Sequence, residues 1–216
     1  MPNTTDIFAN NWQSHDELID RIKDKTGVLE TPHLEEAFRS VDRRNFVRDD
    51  YEVEAYEDYP IPIGGEQTIS QPTTVAYMLE LLSPQEGDSV LDVGCGSGWS
   101  SALLGHIVGR HGQVVGMEIR EELAGFGRDN VSVYDLPQVE IRHGSPLKEK
   151  QPEAPFSRIL VSAGTDHIPA ALTDQLAVGG VMVIPIDQSL VQVKKKAEGE
   201  LLQKEVPGFD FVPLQL

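Results

Sequence analysis

The chain has 216 residues, 39% of them hydrophobic and 25% charged, which is enough to bury one core. No apolar run approaches the ~18 residues of a membrane span. With 35 Asp and Glu against 18 Lys and Arg, the net charge is −17, so neither nucleic acid nor membrane is an expected partner.

The N-terminal stretch MPNTTDIFANNW has no basic start and no apolar core, so it is not expected to be a signal peptide, and the cytoplasm is the expected compartment. Ser14 and Glu17 have the spacing of a capping box, and Leu18, Ile19 and Ile22 then share one helical face. Thr31-Pro32 predicts a second helix start, followed by Leu34, Ala37, Phe38 and Val41 on one side. Residues 66–74, EQTISQPTT, read as a loop entering a helix that carries Val75, Met78, Leu79 and Leu82. On the residues alone, Ser70 or Gln71 there is a helix cap.

From residue 88 short apolar strands alternate with helical segments. Strands are predicted over Ser89–Val93, Val114–Glu118, Val139–Arg142, Ile159–Ser162 and Val181–Ile186, with helices around 99–109, 119–130 and 168–177. This is the pattern of an α/β doubly wound, mostly parallel sheet covered on both faces. The tail, 189–216, lacks the alternation and predicts antiparallel strands, one of them Phe209–Leu214. Lys194, Lys195 and Lys196 read as a solvated strand end. A single domain is expected, with an N-terminal helical segment (1–65), an α/β core (66–188) and C-terminal strands (189–216).

Asp92-Val93-Gly94-Cys95-Gly96-Ser97-Gly98-Trp99 is a strand end running into a glycine-rich turn and a helix. Its spacing is G-x-G-x-G. A dinucleotide fingerprint would need glycine where Trp99 stands, and a bulky residue there closes the space a pyrophosphate wants. The next strand ends in Glu118, roughly twenty residues beyond Gly98, where a carboxylate can accept both hydroxyls of a ribose. A nucleoside without pyrophosphate is the expected ligand. The lone cysteine, Cys95, excludes an internal disulfide and a thiolate metal cluster, and the histidines show no metal spacing, so no metal is expected. His167 and Asp166 are expected at the surface.

The glycine turn followed by an acidic strand end resembles S-adenosylmethionine-dependent methyltransferases. Four further stretches resemble one family of them, the protein-L-isoaspartate O-methyltransferases. Val41-Asp42-Arg43-Arg44-Asn45-Phe46-Val47 resembles its V-x-R-x-x-F-V segment, and residues 56–64, YEDYPIPIG, resemble its Y-x-D-x-P-L-P-I-G. Thr68-Ile69-Ser70-Gln71-Pro72 matches T-I-S-x-P, and Phe211-Val212-Pro213-Leu214 matches the closing F-V-P-L.

The resemblance implies a Rossmann-like methyltransferase sheet with an N-terminal helical layer and C-terminal antiparallel strands. It implies methyl transfer to the carboxylate of L-isoaspartyl residues in damaged proteins or peptides, initiating repair through a succinimide, with S-adenosyl-L-homocysteine as product. Ser70, with Thr68 second, would grip the substrate carboxylate. Ile69 and Gln71 would line the substrate site, and Gly94, Cys95, Gly96, Ser97, Gly98, Glu118, Gly144 and Ser145 would hold the cofactor. Unpaired N–H groups at residues 71–74 would favour the anion. The family usually has G-D-G after the third strand, its aspartate accepting from the adenine amino group. Here Gly144 is followed by Ser145 and Pro146, a neutral acceptor on a stiffer loop. Two other readings remain open: methylation of an ordinary aspartate in a biosynthetic peptide, and a nucleoside-binding module without turnover. A monomer is expected.

Overall fold

The computed structural model describes residues 14–197 and 199–215, so the reading of the first twelve residues as no signal peptide lies outside them. Among the described residues nine strands form: β1 (Ile61–Gly64), β2 (Gln67–Ile69), β3 (Ser89–Val93), β4 (Gln113–Glu118), β5 (Val139–His143), β6 (Phe156–Val161), β7 (Leu176–Ile186), β8 (Ser189–Ala197) and β9 (Glu200–Pro207). Helices are α1 (His15–Thr26), α2 (Pro32–Ser40), α3 (Pro72–Leu82), α4 (Trp99–Val108), α5 (Glu121–Val131) and the short α6 (Ala170–Thr173). Two 3-10 turns, Arg43–Phe46 and Asp49–Glu54, link α2 to β1.

The large sheet has the order β5-β4-β3-β6-β7-β8-β9, parallel from β5 to β7 and antiparallel through β8 and β9. The doubly wound sheet with antiparallel C-terminal strands is therefore as the sequence implies. Its strands divide the core by their period of two. Val90, Val114, Leu160, Val181 and Val183 join the buried side chains of α1 to α5. Leu91, Val93, Val115, Met117, Ile159, Val161, Met182 and Ile184 face the other way, with Leu172 of α6. The outermost helices use the signals expected of them: Ser14 accepts the Glu17 N–H at 3.3 Å to cap α1, and Pro32 opens α2.

Three predicted elements differ. Phe209–Leu214 is not an antiparallel strand. Gly208 turns the chain at φ 102°, and the segment makes only a parallel bridge, Gly164 to Pro213. Pro213 has no N–H to give a ladder. The helix expected over 168–177 is cut to the single turn of α6, because β7 already begins at Leu176. Lys195 is not solvated. It is 6% exposed, and its ammonium donates to the carbonyls of Thr173 and Leu176 at the end of that turn, while Lys194 and Lys196 are exposed.

Residues 66–74 are not all loop. Gln67–Ile69 is a strand paired antiparallel with Ile61–Gly64, a small hairpin lying apart from the main sheet. Its tip is tied to α5: Arg48 donates to the Ile63 carbonyl at 2.8 Å, lies 4.0 Å over the Phe126 ring and pairs with Glu122.

α5 carries two glycines that helix propensity disfavours. A Cβ on Gly127 would stand 2.9 Å from the Gly96 carbonyl oxygen, so the helix touches the glycine turn through that position. A Cβ on Gly125 would meet nothing closer than the flexible end of Arg128, at 3.8 Å. Gly125→Ala is therefore expected to stabilise the protein by up to about 1 kcal/mol. Gly127→Ala is expected to destabilise it by about 1–3 kcal/mol. Urea unfolding measures both, and equal shifts of the same sign would refute the assignment.

Candidate active site

Strands β3, β4, β5 and β6 deliver their carboxyl ends to one crevice, at the point where the sheet winds outward in both directions. Ligands of such sheets lie there. The turn after β3 is held by the neighbouring strand, with the N–H groups of Gly94 and Cys95 both donating to the Met117 carbonyl, at 2.8 and 3.2 Å. Gly94, Gly96 and Gly98 have φ of 74°, 52° and 87°, the left-handed region that a side chain resists. Asn130 of α5 fixes the Ser97 carbonyl at 2.9 Å.

Glu118, 5% exposed, ends β4. One carboxylate oxygen accepts the Gly96 N–H at 3.0 Å and the other the Arg120 N–H at 2.9 Å. Each oxygen keeps a lone pair for a further donor, as two ribose hydroxyls require. The Glu118 carbonyl holds the Gly144 N–H at 2.9 Å, which brings the Gly144–Ser145 loop to the same crevice. The Ser145 hydroxyl accepts the Leu147 N–H at 3.4 Å. Cys95 is buried; its burial, then Asp92 and Glu118, push the thiol well up, so it stays protonated and is no nucleophile.

The Trp99 side chain packs into the N-terminal layer. Its ring is 2% exposed and meets Phe38 edge-on at 5.5 Å in the N-terminal layer, with its indole N–H toward the Val41 carbonyl at 3.4 Å.

On the other side lies a cleft of about 640 Å³, between the hairpin, the start of α3 and residues 208–212. A narrow passage leads from it to the glycine turn. Both are lined by Thr68, Ser70 and Ser162, and the passage also by Gly94, Cys95, Gly96, Ser97 and Ile69. The strand β2 explains the placing of the motif. Alternation puts Thr68 and Ser70 toward the cleft and buries Ile69 at 4% exposure between them. Gln71 also lines the cleft, its side-chain oxygen accepting from the Thr74 hydroxyl at 3.3 Å. The hydroxyls of Thr68, Ser70 and Ser162 have no hydrogen-bond partner among the described residues.

The cap of α3 differs from the expectation. Neither Ser70 nor Gln71 makes a capping bond. The N-terminus is capped instead by Asp58, which accepts the Thr73 N–H at 2.9 Å and the Thr73 hydroxyl at 2.7 Å. One of the N–H groups expected for an anion is thus already taken. His167 and Asp166 are exposed, bonded to each other away from the shared passage. Among the described residues no group of three or more His, Cys, Asp or Glu could hold a metal.

Sequence reasoning passed over Ser162 and Asp92. Ser162 closes a predicted strand at its carboxyl end, where site residues collect. Asp92 is fully buried before the turn; Ser100 and Ser101 donate to one oxygen at 2.6 and 2.7 Å, and the other oxygen has no partner. That unpartnered oxygen is sealed from solvent, within reach of the Glu118 charge, and lines neither cleft nor passage.

The family model for protein-L-isoaspartate(D-aspartate) O-methyltransferases matches residues 13–215. The chain belongs to this family. A protein-L-isoaspartate O-methyltransferase of Methanopyrus kandleri is 40% identical over 207 residues, spanning 94% of this chain and 91% of its own. Protein-L-isoaspartate O-methyltransferase 2 of Archaeoglobus fulgidus is 38% identical over 206 residues, 94% of this chain and 93% of its own. In structure, a protein-L-isoaspartate O-methyltransferase of Plasmodium falciparum, crystallised with S-adenosyl-L-homocysteine, shares the fold. Its TM-score is 0.83 at 24% identity, over 93% of this chain and 98% of that one.

Burial pushes Asp92 up to about 6, its two serine donors opposing the shift and Glu118 adding to it. An acid raised from an unfolded value near ~4 favours the fold when protonated, so that contribution is present below ~4 and lost as pH rises through about 6. Without cofactor, the stability of the protein relative to Asp92→Asn should fall between pH 4 and pH 7. Urea midpoints of the two proteins measure it, and a constant difference across that range would refute it.

Proposed function

We propose that the glycine turn with Glu118 seats S-adenosylmethionine, and that the cleft beside β2 seats a peptide whose isoaspartyl carboxylate meets Ser70. As a member of its family the chain is an S-adenosylmethionine-dependent methyltransferase of L-isoaspartyl carboxylates in damaged proteins, initiating their repair through a succinimide. The observation that carries the residue assignment is that Thr68, Ser70 and Ser162 line both the cleft and the passage at the glycine turn.

S-adenosylmethionine, when bound, supplies the electrophilic methyl carbon on its sulfonium. Glu118 would take the ribose hydroxyls, Gly94, Cys95, Gly96, Ser97 and Gly98 would offer backbone at close approach, and Gly144 and Ser145 would flank the base. Ser70 donates its hydroxyl to the substrate carboxylate, with Thr68 and Ser162 beside it, while Ile69 backs the passage and Gln71 borders the peptide. No general base is needed, since a carboxylate with a pKa near ~4 is ionised at neutral pH. What the chain contributes is alignment and the exclusion of water, through hydroxyls placed at the mouth of a narrow passage.

We also read the chain as one domain, a monomer and cytoplasmic. Support comes from the shared core of the N-terminal helices and the sheet, from the acidic charge, and from the lack of any described helix long and apolar enough to cross a membrane.

Labelled methyl transfer should occur to an isoaspartyl peptide and not to its aspartyl twin. Equal labelling of both would shift the substrate to ordinary aspartate, and labelling of neither would overturn the reading. With the isoaspartyl peptide, Ser70→Ala should lower kcat/KM by about 10- to 100-fold with unchanged cofactor affinity. Glu118→Ala should weaken cofactor binding by about the same factor, seen by calorimetry. The converse pattern would exchange the two roles.

A further inference from the structure

Arg43 is fully buried, yet it touches neither cleft nor passage. Its guanidinium ends on four backbone carbonyls: one terminal nitrogen donates to Ala55 at 2.8 Å and Glu57 at 3.0 Å, and the other to Tyr59 and Ser70, both at 3.0 Å. Tyr59 precedes β1 and Ser70 follows β2. With Ile61 paired to Ile69, those two carbonyls lie at the open end of the hairpin. One nitrogen therefore clamps the two chains where the hairpin ladder stops. The guanidinium also lies 5.5 Å from the centre of the Trp99 ring, the first residue of the helix after the glycine turn. A single planar group thus relates the backbone of Ser70 to the helix that follows the turn.

We propose that Arg43 is a positioning residue for methyl transfer, setting the Ser70 hydroxyl through the Ser70 carbonyl. The proposal rests on the reading of Ser70 as the substrate donor. Ser70 stands between the end of β2 and the start of α3, outside the hairpin ladder and the helix, and the bond that holds its carbonyl comes from Arg43. One nitrogen holds Tyr59 and Ser70 together while the other, in the same rigid plane, is anchored on Ala55 and Glu57, an arrangement that a lysine ammonium on a flexible stem does not reproduce. A shift of the peptide plane by a fraction of an ångström moves the hydroxyl out of line with the passage, and misplacement on that scale lowers rates steeply.

The test is a double-mutant cycle of Arg43→Lys with Ser70→Ala, measuring kcat and KM for an isoaspartyl peptide and calorimetric cofactor affinity. Arg43→Lys should lower kcat/KM for the peptide by about 10- to 100-fold, while cofactor affinity stays within about threefold. In the Ser70→Ala background the same substitution should lose most of its effect. Arg39→Ala serves as a control for stability alone, since Arg39 pairs with Asp16, Asp20 and Glu35 on the outer helices. It should lower Tm without changing the peptide KM. If Arg43→Lys does not fold, Trp99→Phe, which removes part of the surface under the guanidinium, should show a smaller loss with the same non-additivity.

An impaired Ser70→Ala beside a silent or fully additive Arg43→Lys overturns this proposal and leaves Ser70 in place. Equal loss of peptide and cofactor binding in Arg43→Lys also overturns it, as general damage. A silent Ser70→Ala overturns the Ser70 reading and this one with it.

Discussion

The guanidinium of Arg43 is buried among four carbonyl oxygens, and the shape of the cleft beside the hairpin follows from that arrangement. Taking such a charge out of water costs several kcal/mol. Burial pulls its pKa down to about 9, opposed by the nearby charge of Asp58, so it remains charged at neutral pH. Four charge-assisted bonds at about 1.5–3 kcal/mol each offset the desolvation, but only while residues 55–59 and 70 stay where they are. Asp58 is held in turn by Thr73 at the start of α3. Hairpin, helix start and buried arginine are thus mutually dependent, and none reaches its geometry alone.

The glycine turn is set by contact at close range. The Gly96 carbonyl fills the space a Cβ on Gly127 would need, the Gly127 carbonyl does the same for Gly98, and Ile63 of the hairpin stands over Gly96. The turn is therefore held between α5 and the hairpin with no room to relax. Glycine spacing here serves packing as much as ligand approach. It also couples the two halves of the site: Ile63 covers the turn from β1, and Thr68 reaches the cleft from the paired strand.

The sheet was legible because a doubly wound core needs near-continuous apolar strands, and those runs are hard to misread. The helix starts at Ser14 and Pro32 and the glycine turn were legible for equally local reasons. What escaped was set by partners distant in sequence. The hairpin hides in EQTISQPTT because β2 is three residues long and its partner, Ile61–Gly64, contains a proline. The cap of α3 comes from Asp58, fifteen positions away, which no local rule for Ser70 or Gln71 anticipates. Lys195 reads as solvated until the carbonyls ending α6 are seen beside it. Arg43 was visible within a family segment, but nothing in one sequence shows that it reaches the Ser70 carbonyl.

Among the described residues that line the cleft only Asp210 is ionisable, and none is a lysine or arginine. A site for a carboxylate is commonly built on an arginine fork. Such a pair would grip the substrate more tightly and hold back the oxygen lone pairs that must reach the methyl carbon. Neutral hydroxyls orient a carboxylate without that penalty, because their hydrogen bonds are weaker than those of a cation. Arg43, whose two terminal nitrogens bond the Ser70 carbonyl and three others, does not line the cleft, and its buried Nε has no partner among the described residues. In the proposed arrangement the positive charge opposite the carboxylate would be that of S-adenosylmethionine, while Thr68, Ser70 and Ser162 supply only neutral hydroxyls. A product ester left among hydroxyls, with no cation to hold it, is free to leave.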